Sequence, residues 1–369
     1  MGEHIKNAED LRHFMLEKGA LDDRTAPKWG HPQLRPNHLP MTGSAKRLSD
    51  PNLSMEEKEE YQQMVYENTK RMMEQMDDGR YDKDFELKVF MVPGCEEEPD
   101  APLAEMRVAL PKAVPEKPMP VIFEIIGGGL EYCNLDMMPA KEVASKNNAI
   151  VVVPSFRTHV QAPYPAAIND LHACYKWVYE HAEELHADPD NMMITGMSTG
   201  GHLSLCLAFR LKRYGYQPRG AVVCIPQTDD RMTKPSSRLY VGDCDWDAYN
   251  TRFSSMAWRG SEFASTCYGP EAYANYATVE DCRGLCPVVI STVEFDSDRD
   301  YNREFAEKLN QAGVYVEYHL WAGASHCFTQ TPNAATAPHF QLLLEVHNAA
   351  VTDCITYDLR RPWTAKTDD

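Results

Sequence analysis

From residue 85 onward, short apolar runs alternate with longer stretches that carry apolar side chains at helical spacing. Phe85–Met91 and Ala104–Leu110 open with apolar and polar residues in alternation. That period predicts two half-buried strands lying antiparallel to each other. The later runs at 120–126, 148–154, 191–195, 219–225, 287–292 and 315–321 are almost continuously apolar. Such strands are covered on both faces. Between them, helices are predicted at about 137–147, 165–185, 199–213, 299–312 and 338–351. Strand and helix in alternation predict an α/β fold, a mostly parallel central sheet with helices on both faces. One stretch breaks the rhythm. Residues 228–285 are rich in Asp, Trp, Tyr and Ser and are too long for a plain crossover. They read as an insertion that caps one end of the sheet, with Trp246, Tyr249, Phe253 and Trp258 either lining a pocket or filling the cap's own core.

Residues 1–85 have a different texture. Pro27, Pro32, Pro36, Pro40 and Pro51 mark an irregular segment. Ser54-Met55-Glu56-Glu57 then has the form of a capping box and opens a helix running to about Met76. Tyr61, Met64, Val65, Met72 and Met73 form its expected apolar stripe. The chain therefore divides into a helical N-terminal cap segment, 1–85, and an α/β domain, 86–369, that contains the insertion.

The candidate chemistry sits where the predicted strand 191–195 meets the predicted helix 199–213. Gly196-Met197-Ser198-Thr199-Gly200 is a G-x-S-x-G pentapeptide in a strand–turn–helix setting. The turn is so sharp that side chains on the flanking residues would collide, and it leaves the serine Oγ exposed at a helix N-terminus. A serine hydroxyl needs a base within hydrogen-bond reach, and the base needs a carboxylate to orient it. In open-sheet hydrolases these follow the serine in the order acid, then histidine. Strand 287–292 runs into Glu294, Asp296, Asp298 and Asp300; strand 315–321 runs into His326. Both loops are predicted at the C-terminal edge of the sheet, beside the serine. His326 is the expected base, ahead of His319 within a strand and His202 just after the turn. Asp296 is the expected acid, with Asp298, Asp300 and Glu294 as alternatives. Ile126-Gly127-Gly128-Gly129 ends the third strand and can present backbone N–H groups to a developing oxyanion, as can Thr199.

Net charge narrows the partners. A formal charge of −18 opposes binding to nucleic acid and to anionic membranes. No apolar run reaches the length of a membrane span, and Met1–Lys6 does not resemble a secretory signal. The eleven cysteines include no C-x-x-C pair, and Cys282 with Cys286 lacks a second pair to complete a zinc site. Reduced thiols in a cytoplasmic protein are expected, with no metal or organic cofactor and with a homodimer left open.

Four stretches together resemble the hormone-sensitive-lipase-like carboxylesterases, a family of α/β-hydrolases. That family carries His-Gly-Gly-Gly, Gly-Asp-Ser-Ala-Gly-Gly, Asp-Pro-Leu and His-Gly-Phe segments. They correspond here to Ile126-Gly127-Gly128-Gly129, Gly196-Met197-Ser198-Thr199-Gly200-Gly201, Asp296-Ser297-Asp298 and His326-Cys327-Phe328. Pro163–Asp170 and Ala187-Asp188-Pro189 match as well, so the resemblance spans roughly 85–330. It implies Ser198 as nucleophile, Asp296 as acid, His326 as base, and Gly128, Gly129 and Thr199 as oxyanion donors. It implies a serine carboxylesterase acting on small to medium carboxylic esters through an acyl-enzyme. An amide-bond hydrolase on the same triad and a ligand-binding protein on a degenerate hydrolase fold are the alternative readings. Three departures stand out: Ile126 for the loop histidine, Met197 for the aspartate and Thr199 for the alanine.

Overall fold

The computed structural model describes residues 53–231, 233–239, 266–326 and 338–360. Eight strands form one sheet: β1 (Phe85–Val92), β2 (Ala104–Pro111), β3 (Met119–Ile125), β4 (Ile150–Pro154), β5 (Ala187–Met197), β6 (Ala221–Cys224), β7 (Val288–Phe295) and β8 (Val316–Ser325). Their spatial order is β1-β2-β4-β3-β5-β6-β7-β8. β2 is antiparallel to both β1 and β4, and every other pair is parallel. All eight lie where the apolar pattern puts them. β5 and β8 run further at both ends or at the C-terminal end, because sheet pairing continues past the apolar residues that revealed them.

Alternation along the strands divides the core into two layers. Val121, Phe123 and Ile125 of β3 face one way, with Ile194 and Val223. They pack against α3 (Ala166–Glu180), α5 (Thr199–Arg213) and α8 (Arg299–Gln311). Ile122, Val151, Val153, Met193, Val222 and Val289 face the other way, against α2 (Ala140–Asn147) and α9 (Pro338–Thr356). Both faces are therefore closed, which is why β4 and β6 are apolar at nearly every position. The predicted helix 165–185 is two: α3 ends at His181, whose Nδ1 lies 2.8 Å from the Trp177 carbonyl, and α4 (Ala182–Leu185) follows.

Helix α1 (Met55–Met76) begins at the predicted capping box, with Ser54 Oγ and the Glu57 carboxylate each accepting from the other's backbone N–H. Its inward face differs from the predicted stripe. Of that stripe Met64 is 47% exposed while Tyr61, Val65 and Met73 are half-buried, and the row that turns toward the protein is Gln62, Tyr66, Thr69 and Met73. These four recur at a helical period, but the buried centre of the face is polar, so a search for an apolar stripe passes over it. Residues 1–52 of the leader lie outside the described residues. So do residues 240–265 of the insertion, with Trp246, Tyr249, Phe253 and Trp258. The insertion's described parts include α6 (Pro235–Leu239) and α7 (Val279–Cys282). Its later part joins the main core: Ala272, Tyr273, Ala274, Cys282 and Leu285 are buried with the α5 side chains.

Candidate active site

The turn between β5 and α5 places Ser198 at φ 58°, ψ −121°, a conformation that non-glycine residues rarely adopt. Its surroundings hold it there. The Ser198 N–H donates to the Cys224 carbonyl at the end of β6, at 2.9 Å. A Cβ on Gly200 would lie 1.9 Å from the Ile125 carbonyl oxygen, so only glycine lets the start of α5 press against β3. Close packing of turn, helix and two strands thus fixes the strained serine.

The parallel order then brings the other loops to the same edge. Asp296 follows β7 directly, and His326 follows β8. Ser198 Oγ lies 2.8 Å from His326 Nε2, and His326 Nδ1 lies 2.8 Å from Asp296 Oδ2. An ionised carboxylate only accepts, so the imidazole proton sits on Nδ1 and the Nε2 lone pair faces the serine hydroxyl. Asp296 is 0% exposed and His326 4%. The second Asp296 oxygen accepts from the Asp298 N–H at 2.9 Å. Ser236 and Ser237 hold this loop from α6 by donating to the Ser297 carbonyl, at 2.8 and 3.0 Å. Such a chain can take a proton from the serine while keeping the imidazole in one orientation.

The glycine loop approaches from β3. Gly128, Gly129 and Leu130 all have positive φ, at 155°, 65° and 62°. A Cβ on Gly128 would lie 2.4 Å from the Tyr132 carbonyl oxygen. Thr199 is the first residue of α5, where an N–H has no acceptor within its own helix. Its hydroxyl accepts from the Leu130 N–H at 3.0 Å, so turn and glycine loop are tied directly.

The remaining candidates are elsewhere. His202 is buried in α5 with its ring edge against Tyr273. His319 lies on β8 beside Glu317, at 3.3 Å. Asp300 exchanges hydrogen bonds with Ser236 and pairs with Arg299. Glu294 ends up within β7, half-buried, its carbonyl accepting from Arg299. Asp298 stands at the start of α8, but its side chain makes no capping hydrogen bond. Instead, Asp298 is 0% exposed, and neither carboxyl oxygen has a hydrogen-bond partner among the described residues. Burial, then the negative charges of Asp296, Asp229 and Asp230, push its carboxyl well above the usual range.

That shift has a sign. Unfolded, this carboxyl ionises at about 4; folded, it keeps its proton to higher pH. Above about pH 4 the folded state therefore binds more protons, and stability falls as pH rises toward the folded value. Asp298→Asn has no proton to lose. Its melting temperature should gain on the wild type by a few degrees at neutral pH, with the gain shrinking toward pH 4. A constant difference between pH 4 and pH 8 would show that Asp298 is ionised in the folded protein.

Among the described residues one mixed trio, Cys95, Glu97 and His172, brings possible metal donors within 4.8 Å of one another. One Glu97 oxygen, Oε1, already accepts from Arg210 and Tyr214. The cysteines described, including Cys174, Cys206, Cys224, Cys282 and Cys286, are free thiols.

Residues 124–330, more than half of the chain, match the alpha/beta hydrolase fold family. The chain belongs to that family. Within it the relatives are esterases of the hormone-sensitive-lipase-like group. A carboxylesterase of Mycobacterium tuberculosis, NlhH, is 32% identical over 219 residues, covering 58% of this chain and 67% of the relative. An ethyl acetate hydrolase of Pseudomonas putida is 26% identical over 209 residues, 55% of this chain and 64% of that one. Among solved structures, a bacterial heroin esterase superposes with a TM-score of 0.75 at 25% identity, covering 90% of this chain and 99% of that one. This α/β-hydrolase is accordingly a serine carboxylic ester hydrolase. No described helix is long and apolar enough to cross a membrane.

Two residues at the edge of the site escape a reading of the hydrolase motifs. Gln62 and Tyr66 of α1 bond to the backbone just beyond the glycine loop. Their i, i+4 spacing, which places two polar groups on one helix face, is the signal in the sequence that points to them.

Proposed function

We propose that the chain hydrolyses small to medium carboxylic esters through an acyl-enzyme on Ser198. The observation that carries this reading is the continuous chain Ser198 Oγ–His326–Asp296, with 2.8 Å at each link and the serine held at φ 58°. His326 Nε2 takes the hydroxyl proton as Ser198 Oγ attacks the ester carbonyl carbon. The carbonyl oxygen becomes an oxyanion and is met by the N–H groups of Gly128, Gly129 and Thr199. When the tetrahedral intermediate collapses, the C–O bond to the alcohol breaks and His326 gives its proton to the departing alkoxide. Water then attacks the acyl-enzyme, His326 again takes the proton, and the second collapse returns the proton to Ser198 and releases the acid. Asp296 keeps the Nδ1 proton in place throughout and stabilises the imidazolium. No step calls on a metal or an organic cofactor.

The names of the relatives, an ethyl acetate hydrolase and a heroin esterase, favour short acyl groups. In this proposal α1 and the described parts of the insertion, 233–239 and 266–285, border the site and limit the length of the acyl chain. A series of p-nitrophenyl esters from acetate to palmitate tests it. kcat/KM should be greatest for acetate to hexanoate and fall by about 100-fold or more for palmitate. A profile that rises toward palmitate would overturn the substrate class.

A further inference from the structure

The position that opens the glycine loop is Ile126, which is buried and has no polar group to restrain the loop. Yet the loop needs restraint. Three consecutive residues have positive φ, and the third, Leu130, is not glycine and stays left-handed only where its neighbours enforce it. Within the loop, the Glu131 and Tyr132 N–H groups both donate to the Gly128 carbonyl, at 3.0 Å. The other ties come from outside. The Leu130 N–H donates to Thr199 Oγ1 at 3.0 Å, and the Leu130 carbonyl accepts from the His159 N–H at 3.0 Å. The Glu131 carbonyl accepts from Gln62 Nε2, which also lies 3.3 Å from Thr158 Oγ1. The Cys133 N–H donates to the Tyr66 hydroxyl at 2.8 Å, and the Tyr66 ring meets Tyr132 edge-on. Thr199, Leu130, Gln62, Glu131 and Thr158 are all buried, so water does not compete for these bonds.

We infer that Thr199, through its hydroxyl, and Gln62 and Tyr66 of α1 are positioning residues that hold the Gly128 and Gly129 N–H groups on the oxyanion. The inference rests on the reading of Ser198 as nucleophile. It gives α1 a part in catalysis beyond covering the site: two side chains one helical turn apart fix the backbone within four residues of the oxyanion donors. The Thr199 hydroxyl ties the same loop to the serine's own helix, so nucleophile and oxyanion donors are set against one another. Donors aimed at the tetrahedral oxyanion act on the transition state more than on the bound ester. Loosening the loop therefore lowers kcat and leaves KM nearly as it was.

The experiment compares the full chain with Thr199→Val, Thr199→Ser, Tyr66→Phe and the Thr199→Val/Tyr66→Phe double variant. Val removes the hydroxyl but keeps the shape and the N–H; Ser keeps the hydroxyl; Phe keeps the ring. Steady-state kinetics on p-nitrophenyl acetate, inhibition by a trifluoromethyl ketone that forms a tetrahedral adduct, and melting temperature are measured together. Thr199→Val should lose about 10- to 100-fold in kcat, with KM within about threefold. Affinity for the ketone should fall in parallel with kcat/KM. Thr199→Ser should recover most of the loss, and Tyr66→Phe should lose about 3- to 10-fold. Wild-type kcat in folded Thr199→Val and Tyr66→Phe would overturn the inference, as would a loss confined to KM or Thr199→Ser as poor as Thr199→Val. If Thr199→Val does not fold, Tyr66→Phe decides alone, because it leaves α5 and its packing untouched. A wild-type chain inert toward esters and toward a fluorophosphonate would overturn the catalytic reading itself and this inference with it, whereas an active wild type with unaffected variants overturns only the positioning.

Discussion

Ser198→Ala should lower kcat for a p-nitrophenyl ester by about 10⁵- to 10⁶-fold and leave the fold intact. The nucleophile is lost, and the remaining rate comes from binding and from oxyanion donors that no longer have an attacking group to serve. Folding should hardly register the change. Ser198 sits at the tip of a turn that is fixed through its backbone N–H to Cys224 and by the contact of Gly200 with β3, and neither involves the hydroxyl. The strained φ of 58° remains, and alanine meets the same backbone cost there as serine. The melting temperature should therefore stay within a few degrees of the wild type. Ester turnover within about tenfold of the wild type would remove Ser198 from the mechanism.

The second large effect is expected at Asp296, and its contrast with Asp298 makes it specific. Asp296→Asn should reduce kcat by about 10⁴-fold. An amide offers His326 Nδ1 an N–H as readily as a carbonyl, so the imidazole can turn its proton toward the serine, where a lone pair is needed. It also cannot balance the imidazolium that forms during attack. Asp298→Asn, two residues on, removes a carboxyl that reaches neither the imidazole nor the serine. Its kcat should stay within about tenfold of the wild type, while its stability advantage grows from pH 4 toward neutral pH. The two variants differ in the property that changes, not only in degree: one loses rate, the other gains stability at neutral pH. Comparable losses of kcat in both would mean that the two carboxyls act as one group.

Most of this arrangement could be read from the residues. The eight strands follow from period-two and continuous apolar runs such as Phe85–Met91 and Ile150–Pro154, because burial on one face or on two leaves different patterns. Ser198, Asp296 and His326 were recognisable because each follows an apolar strand directly and parallel pairing sends all three strand ends to one edge. Distances at that edge were beyond reach, since 98 residues separate Ser198 from Asp296 and only packing closes the gap. Asp298 shows a second limit. From sequence it was one acid in a cluster at a helix start, a place where carboxylates are usually solvated. Its raised carboxyl reflects burial and the charges of Asp296, Asp229 and Asp230, the last two of which arrive from the opening of the insertion. Gln62 and Tyr66 show a third. Patterns of apolar residues report which face of a helix is covered, and here the covered face of α1 is polar at its centre because it meets backbone N–H and C=O groups of a loop. Ile126, where the family carries the loop histidine, offers the glycine loop no polar group. The ties from Thr199, Gln62 and Tyr66 could not be read from the motif, because they come from two other elements.

The most direct test of the account is covalent. The full chain is treated with a fluorophosphonate, digested, and the adduct is located by peptide mass spectrometry while ester turnover is followed. The account predicts about one phosphonyl group per chain on Ser198, with turnover falling in step with labelling. An adduct on a different residue that accompanies the loss of turnover, or full turnover by a chain whose Ser198 is phosphonylated, would contradict it.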